Sequence, residues 1–272
     1  MKKQLTSKSA FTLSLLFILF FATPFIVSFV FGYQTVVYYL ASLLLLMLTW
    51  LLYKREGRNL TELGLQIKSQ NMYLLPLGIF LGILFFGILF FAQMLHNGIH
   101  IQLNKDVDYL LMAKGVFILL PSVLGEEMIF RGYCFKKTID YTGTLNAILI
   151  FAFFYIVWHW IALDSWGNYG AMLGLITTGF GHVLFSTALL KSGTLYFPIG
   201  IHLGNNWASH NLFSSSTGGI NTKPSNDVFF IPTVPLQDFS RFHTIAAYLI
   251  TFICSLIFIW IIWKWRKKPG VT

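Results

Sequence analysis

Three ionisable residues interrupt one apolar stretch of the sequence, in the segment 125–131, Gly-Glu-Glu-Met-Ile-Phe-Arg. Charged groups inside an apolar membrane helix cost roughly a few kcal/mol or more each, so three together require a reason. Glu127 and Arg131 are four residues apart, which places them on one helix face where they can form an ion pair. Glu126 lies about 100° around the helix and is outside that pair. We therefore interpret Glu127 and Arg131 as support and Glu126 as a candidate general base.

Two more pairs of polar or aromatic residues have the same spacing of four. Tyr155 and His159 share one helix face, and His202 and Asn206 share another. Two adjacent hydrogen-bond donors suit an oxyanion site, which predicts that role for His202 and Asn206. Asn205 is the adjacent competitor and is expected to point elsewhere. Structural alternatives stay open, because a lone His often sits in a core and polar pairs can join two helices.

The elements that must position these residues are membrane helices. The chain has 272 residues, of which 56% are hydrophobic and only 11% charged, whereas a soluble domain carries about 25% charged residues. Apolar stretches long enough to span a bilayer need about 20 residues. They occur at 10–32, 35–53, 72–94, 108–135, 144–163, 168–190, 195–211 and 243–263. The sequence thus predicts an all-α bundle of about eight spanning helices, forming a single domain over 1–272 with its motifs within 108–211.

The net charge of +9 comes from short basic runs beside these stretches. The runs fall on alternate connections, which by the positive-inside rule places both termini in the cytoplasm. This distribution does not indicate a nucleic-acid partner, and the partner that it does indicate is the lipid bilayer. The segment 212–242, rich in Ser, Gly, Asn and Pro, is expected to be a long external loop. No nucleotide-binding motif and no His-Glu-x-x-His motif is present.

Taken together, the three motifs resemble the CPBP intramembrane metalloprotease family, which includes the type II CAAX prenyl endopeptidases and the bacterial Abi proteins. The order is Glu-Glu-x-x-x-Arg at 126–131, aromatic-x-x-x-His at 155–159 and His-x-x-x-Asn at 202–206. The run at 192–196, Ser-Gly-Thr-Leu-Tyr, also resembles a family segment, as does 60–65 more weakly. The family has Phe where this chain has Tyr155, a change that keeps an aromatic wall and adds a hydroxyl.

The resemblance implies an intramembrane endopeptidase that hydrolyses a membrane-associated or lipid-modified protein or peptide. Glu126 and His159 would activate a water, and His202 and Asn206 would hold the oxyanion. No catalytic metal and no cofactor is expected, although two His and a Glu leave zinc as an alternative. The expected location is a bacterial plasma membrane, as a multi-pass protein. Rival hypotheses are a non-proteolytic scaffold or bacteriocin self-immunity protein, and a transporter with a Glu/His proton relay.

The expected depths of these residues in the membrane conflict with their meeting at one site. Counted at about 1.5 Å per residue from the inner helix ends, Glu126 and His159 lie roughly 20 Å deep, but His202 only about 12 Å deep. The three side chains can meet only if the connection at 191–197 enters the membrane or the helices tilt strongly.

Overall fold

The structure, a computed structural model, describes residues 6–32, 34–66, 69–213, 228–232 and 241–265. Its elements, in chain order, are α1 (Ser7–Phe31), α2 (Thr35–Arg55), a 3-10 helix (Leu60–Leu63), α3 (Ser69–Met72), α4 (Leu74–His96), β1 (Ile101–Leu103), α5 (Tyr109–Arg131), α6 (Tyr133–Thr142), α7 (Thr144–Ala162), α8 (Tyr169–Leu175), α9 (Thr178–Ser192), α10 (Tyr196–Trp207), a π-helix (Ala208–Leu212), β2 (Phe230–Pro232) and α11 (Arg241–Lys264).

Seven helical segments in the described part of the chain are long and apolar enough to cross a bilayer. Large apolar side chains stay exposed on their outer faces, for example Phe29 at 87% and Phe117 at 67%. Monomeric soluble proteins rarely expose large contiguous apolar surface, whereas lipid accommodates it. The polytopic helical bundle expected from the sequence is therefore confirmed. The cytoplasmic position of both termini stays a prediction.

The segment expected to be the seventh of eight spans, at 195–211, differs from the expectation. It forms α10, of 12 residues, which continues into a π-helix of 5, together about 25 Å long. It is not among the seven segments that can cross a membrane by length and composition. Every residue from Phe197 to Gly204 is buried. This helix therefore lies inside the bundle, where its polar side chains face protein instead of lipid.

Glycines bring α10 unusually close to α4. Gly78 and Gly82 on α4 face Gly200 and Gly204 on α10, and each pair has the spacing of four typical of membrane helix contacts. A Cβ added to Gly82 would lie 2.1 Å from the carbonyl oxygen of Ile201. The two backbones are therefore in direct contact, which fixes the helix that carries His202 and Asn206. Our reading of the sequence missed this pattern, although it is visible there as two Gly-x-x-x-Gly runs.

The helix that carries Glu126 is supported by α2. Pro121 lies inside α5, and a proline leaves the carbonyl four residues earlier without its helical donor. That carbonyl, of Phe117, instead accepts a hydrogen bond of 2.7 Å from the hydroxyl of Tyr39. Ser42, one turn further along α2, donates to the carbonyl of Pro121. The predicted segment 108–135 thus consists of α5 and the start of α6, which begins after Gly132.

The connection between α9 and α10 is buried inside the protein. The helix α10 therefore does not begin at the surface, as the count of residue depths had assumed. The amide of Leu195 donates to the carbonyl of Leu63 at 2.9 Å, and the Thr194 hydroxyl donates to the carbonyl of Gly64 at 2.9 Å. Leu63, Thr194 and Leu195 are all 0% exposed. The 3-10 helix and the residues after it therefore cover this turn, and α10 begins inside the protein. These are the two secondary segments, 60–65 and 192–196, that resembled the family.

A two-stranded antiparallel ribbon joins the α4–α5 connection to the segment before α11. In it, β1 pairs with β2, and Ile101 faces Pro232. This ribbon is the one departure from an all-α description among the described residues. Most of the predicted external loop 212–242 lies outside them, at 214–227 and 233–240.

Candidate active site

The expected pair of Glu127 and Arg131 is present and fully buried. Arg131 Nη1 lies 3.2 Å from Glu127 Oε1, and both side chains are 0% exposed. The guanidinium also lies over two aromatic rings, 4.6 Å from the ring centre of Tyr155 and 5.0 Å from that of Phe185. No nitrogen of the guanidinium has a hydrogen-bond partner among the described residues, so the charge of the carboxylate and these rings are what offset the lost hydration of the cation.

Glu127 has a second partner, which the sequence did not indicate. Its Oε1 lies 2.9 Å from His202 Nδ1, so one carboxylate joins α5 to α10. Glu127 is paired with Arg131, and a carboxylate only accepts hydrogen bonds, so the proton of this bond belongs to Nδ1. The neutral ring then presents a lone pair at Nε2, and His202 can donate from Nε2 only when the ring carries both protons. The neutral form of His202 is therefore an acceptor at Nε2, and not the neutral donor that the sequence predicted.

Glu126 lies on the other side of His202. Glu126 Oε2 is 3.8 Å from His202 Nε2, although the two residues are on different helices. As expected, Glu126 is separate from the Arg131 pair, and it accepts a hydrogen bond of 2.9 Å from the hydroxyl of Tyr155. Its side chain is 14% exposed, against 0% for Glu127. Of the two carboxylates, Glu126 is therefore the one that a water molecule can reach.

His159 is oriented by its own helix. Its Nδ1 lies 2.7 Å from the carbonyl oxygen of Tyr155, and the two rings meet edge to face with centres 4.5 Å apart. A carbonyl accepts, so Nδ1 carries the proton and Nε2 presents its lone pair in the neutral ring. His159 is thus held as a second potential base beside Glu126.

A cavity of about 510 Å³ opens at this cluster, between α4, α7, α9, α10 and α11. His159, His202, Asn205 and Asn206 all line it. Asn205 does not point elsewhere as expected, because its Nδ2 donates to Asn206 Oδ1 at 3.3 Å. That bond occupies the acceptor end of the Asn206 amide and leaves its Nδ2 as a donor. The role of Asn206 as an oxyanion donor stays a prediction.

The metal alternative depends on how the candidate ligands are grouped. Among the residues that the structure describes, no three His, Cys, Asp or Glu side chains are grouped as metal ligands would be. The hydroxyl of Tyr155 donates to Glu126 Oε2 and lies 3.5 Å from His202 Nε2. The absence of a catalytic metal stays a prediction, with zinc held by two His and one Glu as its alternative.

Fold and site together define a class of protein: a multi-pass helical membrane protein with a buried cluster of carboxylate, imidazole and amide groups beside a cavity. The family model described as "Type II CAAX prenyl endopeptidase Rce1-like" matches residues 108–208. This segment contains Glu126, His159, His202 and Asn206, and over it the resemblance inferred from the sequence is confirmed. The family consists of hydrolases that act on peptide bonds, so the expectation of an enzyme is confirmed at that level. No curated protein and no solved structure matches the chain.

Proposed function

We propose that this protein is an intramembrane endopeptidase that uses a water activated by Glu126 and His159. The observation that carries the proposal is the contact between α5 and α10 at His202, a residue that lines the cavity. His202 Nε2 lies 3.8 Å from Glu126 Oε2 while Glu127 holds the opposite ring nitrogen. Spacing along the chain does not require this contact, and a bundle that needed these groups for packing alone would have no reason to leave Glu126 partly exposed.

The chemistry assigned to these groups is hydrolysis. Glu126, assisted by His159, takes a proton from water as the water oxygen attacks the carbonyl carbon of the scissile peptide bond. The carbonyl oxygen becomes an oxyanion, which accepts hydrogen bonds from Asn206 Nδ2 and from the doubly protonated ring of His202. The C–N bond then breaks as the leaving nitrogen takes up the proton held by Glu126. One water is consumed, and a carboxylic acid and an amine are released.

The lining of the cavity supports a substrate class. Its wall combines aromatic side chains of α4, such as Phe85 and Phe90, with the polar side chains of α10. Such a wall suits a peptide that carries an apolar side chain or lipid group next to the scissile bond. We therefore propose a membrane-associated or lipid-modified protein or peptide as substrate, and a bacterial plasma membrane as the location.

The direct test replaces Glu126 by Gln, which keeps the size of the side chain and removes the base. The Glu126→Gln protein should accumulate in the membrane and unfold as the wild type does, but cleave no substrate. Glu62→Gln is the matched control, because Glu62 is an exposed carboxylate outside the site, and it should retain full activity. Substrates would be found by mass spectrometry, as membrane peptides cut in the presence of wild-type protein only.

The same comparison separates the endopeptidase from a scaffold or self-immunity protein. A scaffold requires the folded bundle and not the proton-accepting group, so it would keep its biological effect in the Glu126→Gln form. Full biological function of that variant, with no wild-type-dependent cleavage, would refute the endopeptidase proposal.

A further inference from the structure

The hydroxyl of Tyr155 contacts one side chain from each of two helices of the site, Glu126 on α5 and His202 on α10. It donates a hydrogen bond of 2.9 Å to Glu126 Oε2, and it is 3.5 Å from His202 Nε2. Glu126 Oε2 and His202 Nε2 are themselves 3.8 Å apart. One hydroxyl oxygen thus stands beside a carboxylate and an imidazole that are almost close enough to bond directly.

The position of this hydroxyl is fixed by the packing of its ring. Tyr155 is 2% exposed. The ring of Phe130 meets it edge to face at 4.8 Å, and the guanidinium of Arg131 lies 4.6 Å from its centre. A ring confined in this way cannot swing its hydroxyl out of the site. It therefore presents a donor of fixed position, which is what preorganisation of a catalytic group requires.

The two groups that it contacts differ in how well they are otherwise held. The ring of His202 stacks on Phe185, with centres 4.7 Å apart and planes at 17°, and Glu127 binds its Nδ1. Within the described residues, Tyr155 is the one hydrogen-bond partner of Glu126, and it uses Oε2. Oε1 is thereby left for water. The orientation of the Glu126 carboxylate accordingly depends on Tyr155.

We propose that the Tyr155 hydroxyl is a positioning residue that orients the Glu126 carboxylate by binding its Oε2. This inference rests on the proposed endopeptidase function. Without the hydroxyl, no hydrogen bond from a described residue would hold the Glu126 carboxylate, which could then rotate. A base that rotates is aligned with the attacking water for less of the time, which lowers turnover without weakening substrate binding.

The test replaces Tyr155 by Phe, which keeps the ring and removes one oxygen atom. Turnover should fall by about 10- to 100-fold, the effect of losing one hydrogen bond to a charged group, while KM stays unchanged. Tyr39→Phe is the matched control, because it removes a hydroxyl that bonds the Phe117 carbonyl away from the site. That control should lower the melting temperature without lowering turnover.

A second measurement does not depend on activity. The infrared carbon–oxygen stretching bands of Glu126 can be identified as those lost in Glu126→Gln. They should shift in Tyr155→Phe and be unchanged in Tyr39→Phe. Unshifted bands, or wild-type turnover in Tyr155→Phe, would overturn the inference. If the wild-type protein cleaves no peptide, the proposed function fails, and the bands alone decide whether Tyr155 orients Glu126.

Discussion

Replacing Glu127 by Ala should destabilise the protein strongly, because it leaves Arg131 charged, buried and without its counter-ion. Both side chains are 0% exposed, and Arg131 Nη1 is 3.2 Å from Glu127 Oε1. Breaking a buried ion pair by removing one partner costs about 3–5 kcal/mol. The loss would be measured as the free energy of unfolding in detergent micelles, by denaturant titration followed through tryptophan fluorescence.

The chain contains its own control for this prediction. Arg58 and Glu62 form a pair with the same spacing of four, at 3.4 Å, but their side chains are 45% and 36% exposed. Removing one partner of such an exposed pair should change the unfolding free energy by no more than about 1 kcal/mol. The difference between Glu127→Ala and Glu62→Ala therefore compares the loss of a buried carboxylate and its contacts to Arg131 and His202 with the loss of an exposed carboxylate.

A double variant separates stability from activity. Arg131→Met added to Glu127→Ala removes the stranded charge, and replacing both partners of a buried pair by apolar groups is often close to neutral. The double variant should thus recover most of the lost stability. It should stay inactive, because Glu127 also holds His202 Nδ1 at 2.9 Å. Normal stability of Glu127→Ala, or full turnover in the double variant, would refute the assigned role of Glu127.

Three further predictions concern other groups. Asn206→Ala should lower turnover about 10²- to 10³-fold with little change in KM, as measured by steady-state kinetics. Asn205→Ala should cause a smaller loss, because Asn205 acts through Asn206. Equal losses in the two variants would contradict this order. Strong chelators should leave turnover unchanged, and loss on chelation with recovery on adding zinc would assign a metal to the site. Burial acts to raise the pKa of Glu56, but hydrogen bonds from Lys137 and Tyr133 outweigh burial and hold that pKa below its usual 4.5. The charged form of Glu56 therefore stabilises the folded state. The melting temperature should therefore fall as the pH drops below about 4.5, and Glu56→Gln should weaken this dependence.

The sequence predicts contacts within a helix better than contacts between helices. The pairing of Glu127 with Arg131 followed from their spacing of four, since helix geometry alone places them together. The bond between Glu127 and His202 joins residues 75 positions apart, and periodicity indicates the face of a helix but not its neighbour. The sequence placed Tyr155 in the aromatic wall of the site. It did not predict the hydrogen bond from Tyr155 to Glu126, because Glu126 lies on another helix.

The sequence predicted a membrane-spanning helix at 195–211, whereas α10 has only 12 residues. An apolar run at 195–211 indicates burial, but composition does not separate burial in lipid from burial among other helices. The depth count assumed that the α9–α10 connection lies at the membrane surface. The connection is instead covered through the carbonyls of Leu63 and Gly64, residues more than a hundred positions earlier in the chain. Only the tertiary fold contains that information.

The dependence of α10 on α4 has a consequence for how the protein is made. α10 has 12 residues, carries His and Asn side chains, and gains its place through the backbone of α4 at Gly78 and Gly82. A helix so short and polar has little tendency to enter a bilayer by itself. It must dock onto helices that have already been inserted during synthesis. A nascent chain that ends after α9 would hold Glu126 and His159 but not His202 or Asn206, so the proposed peptidase site is completed late in biogenesis.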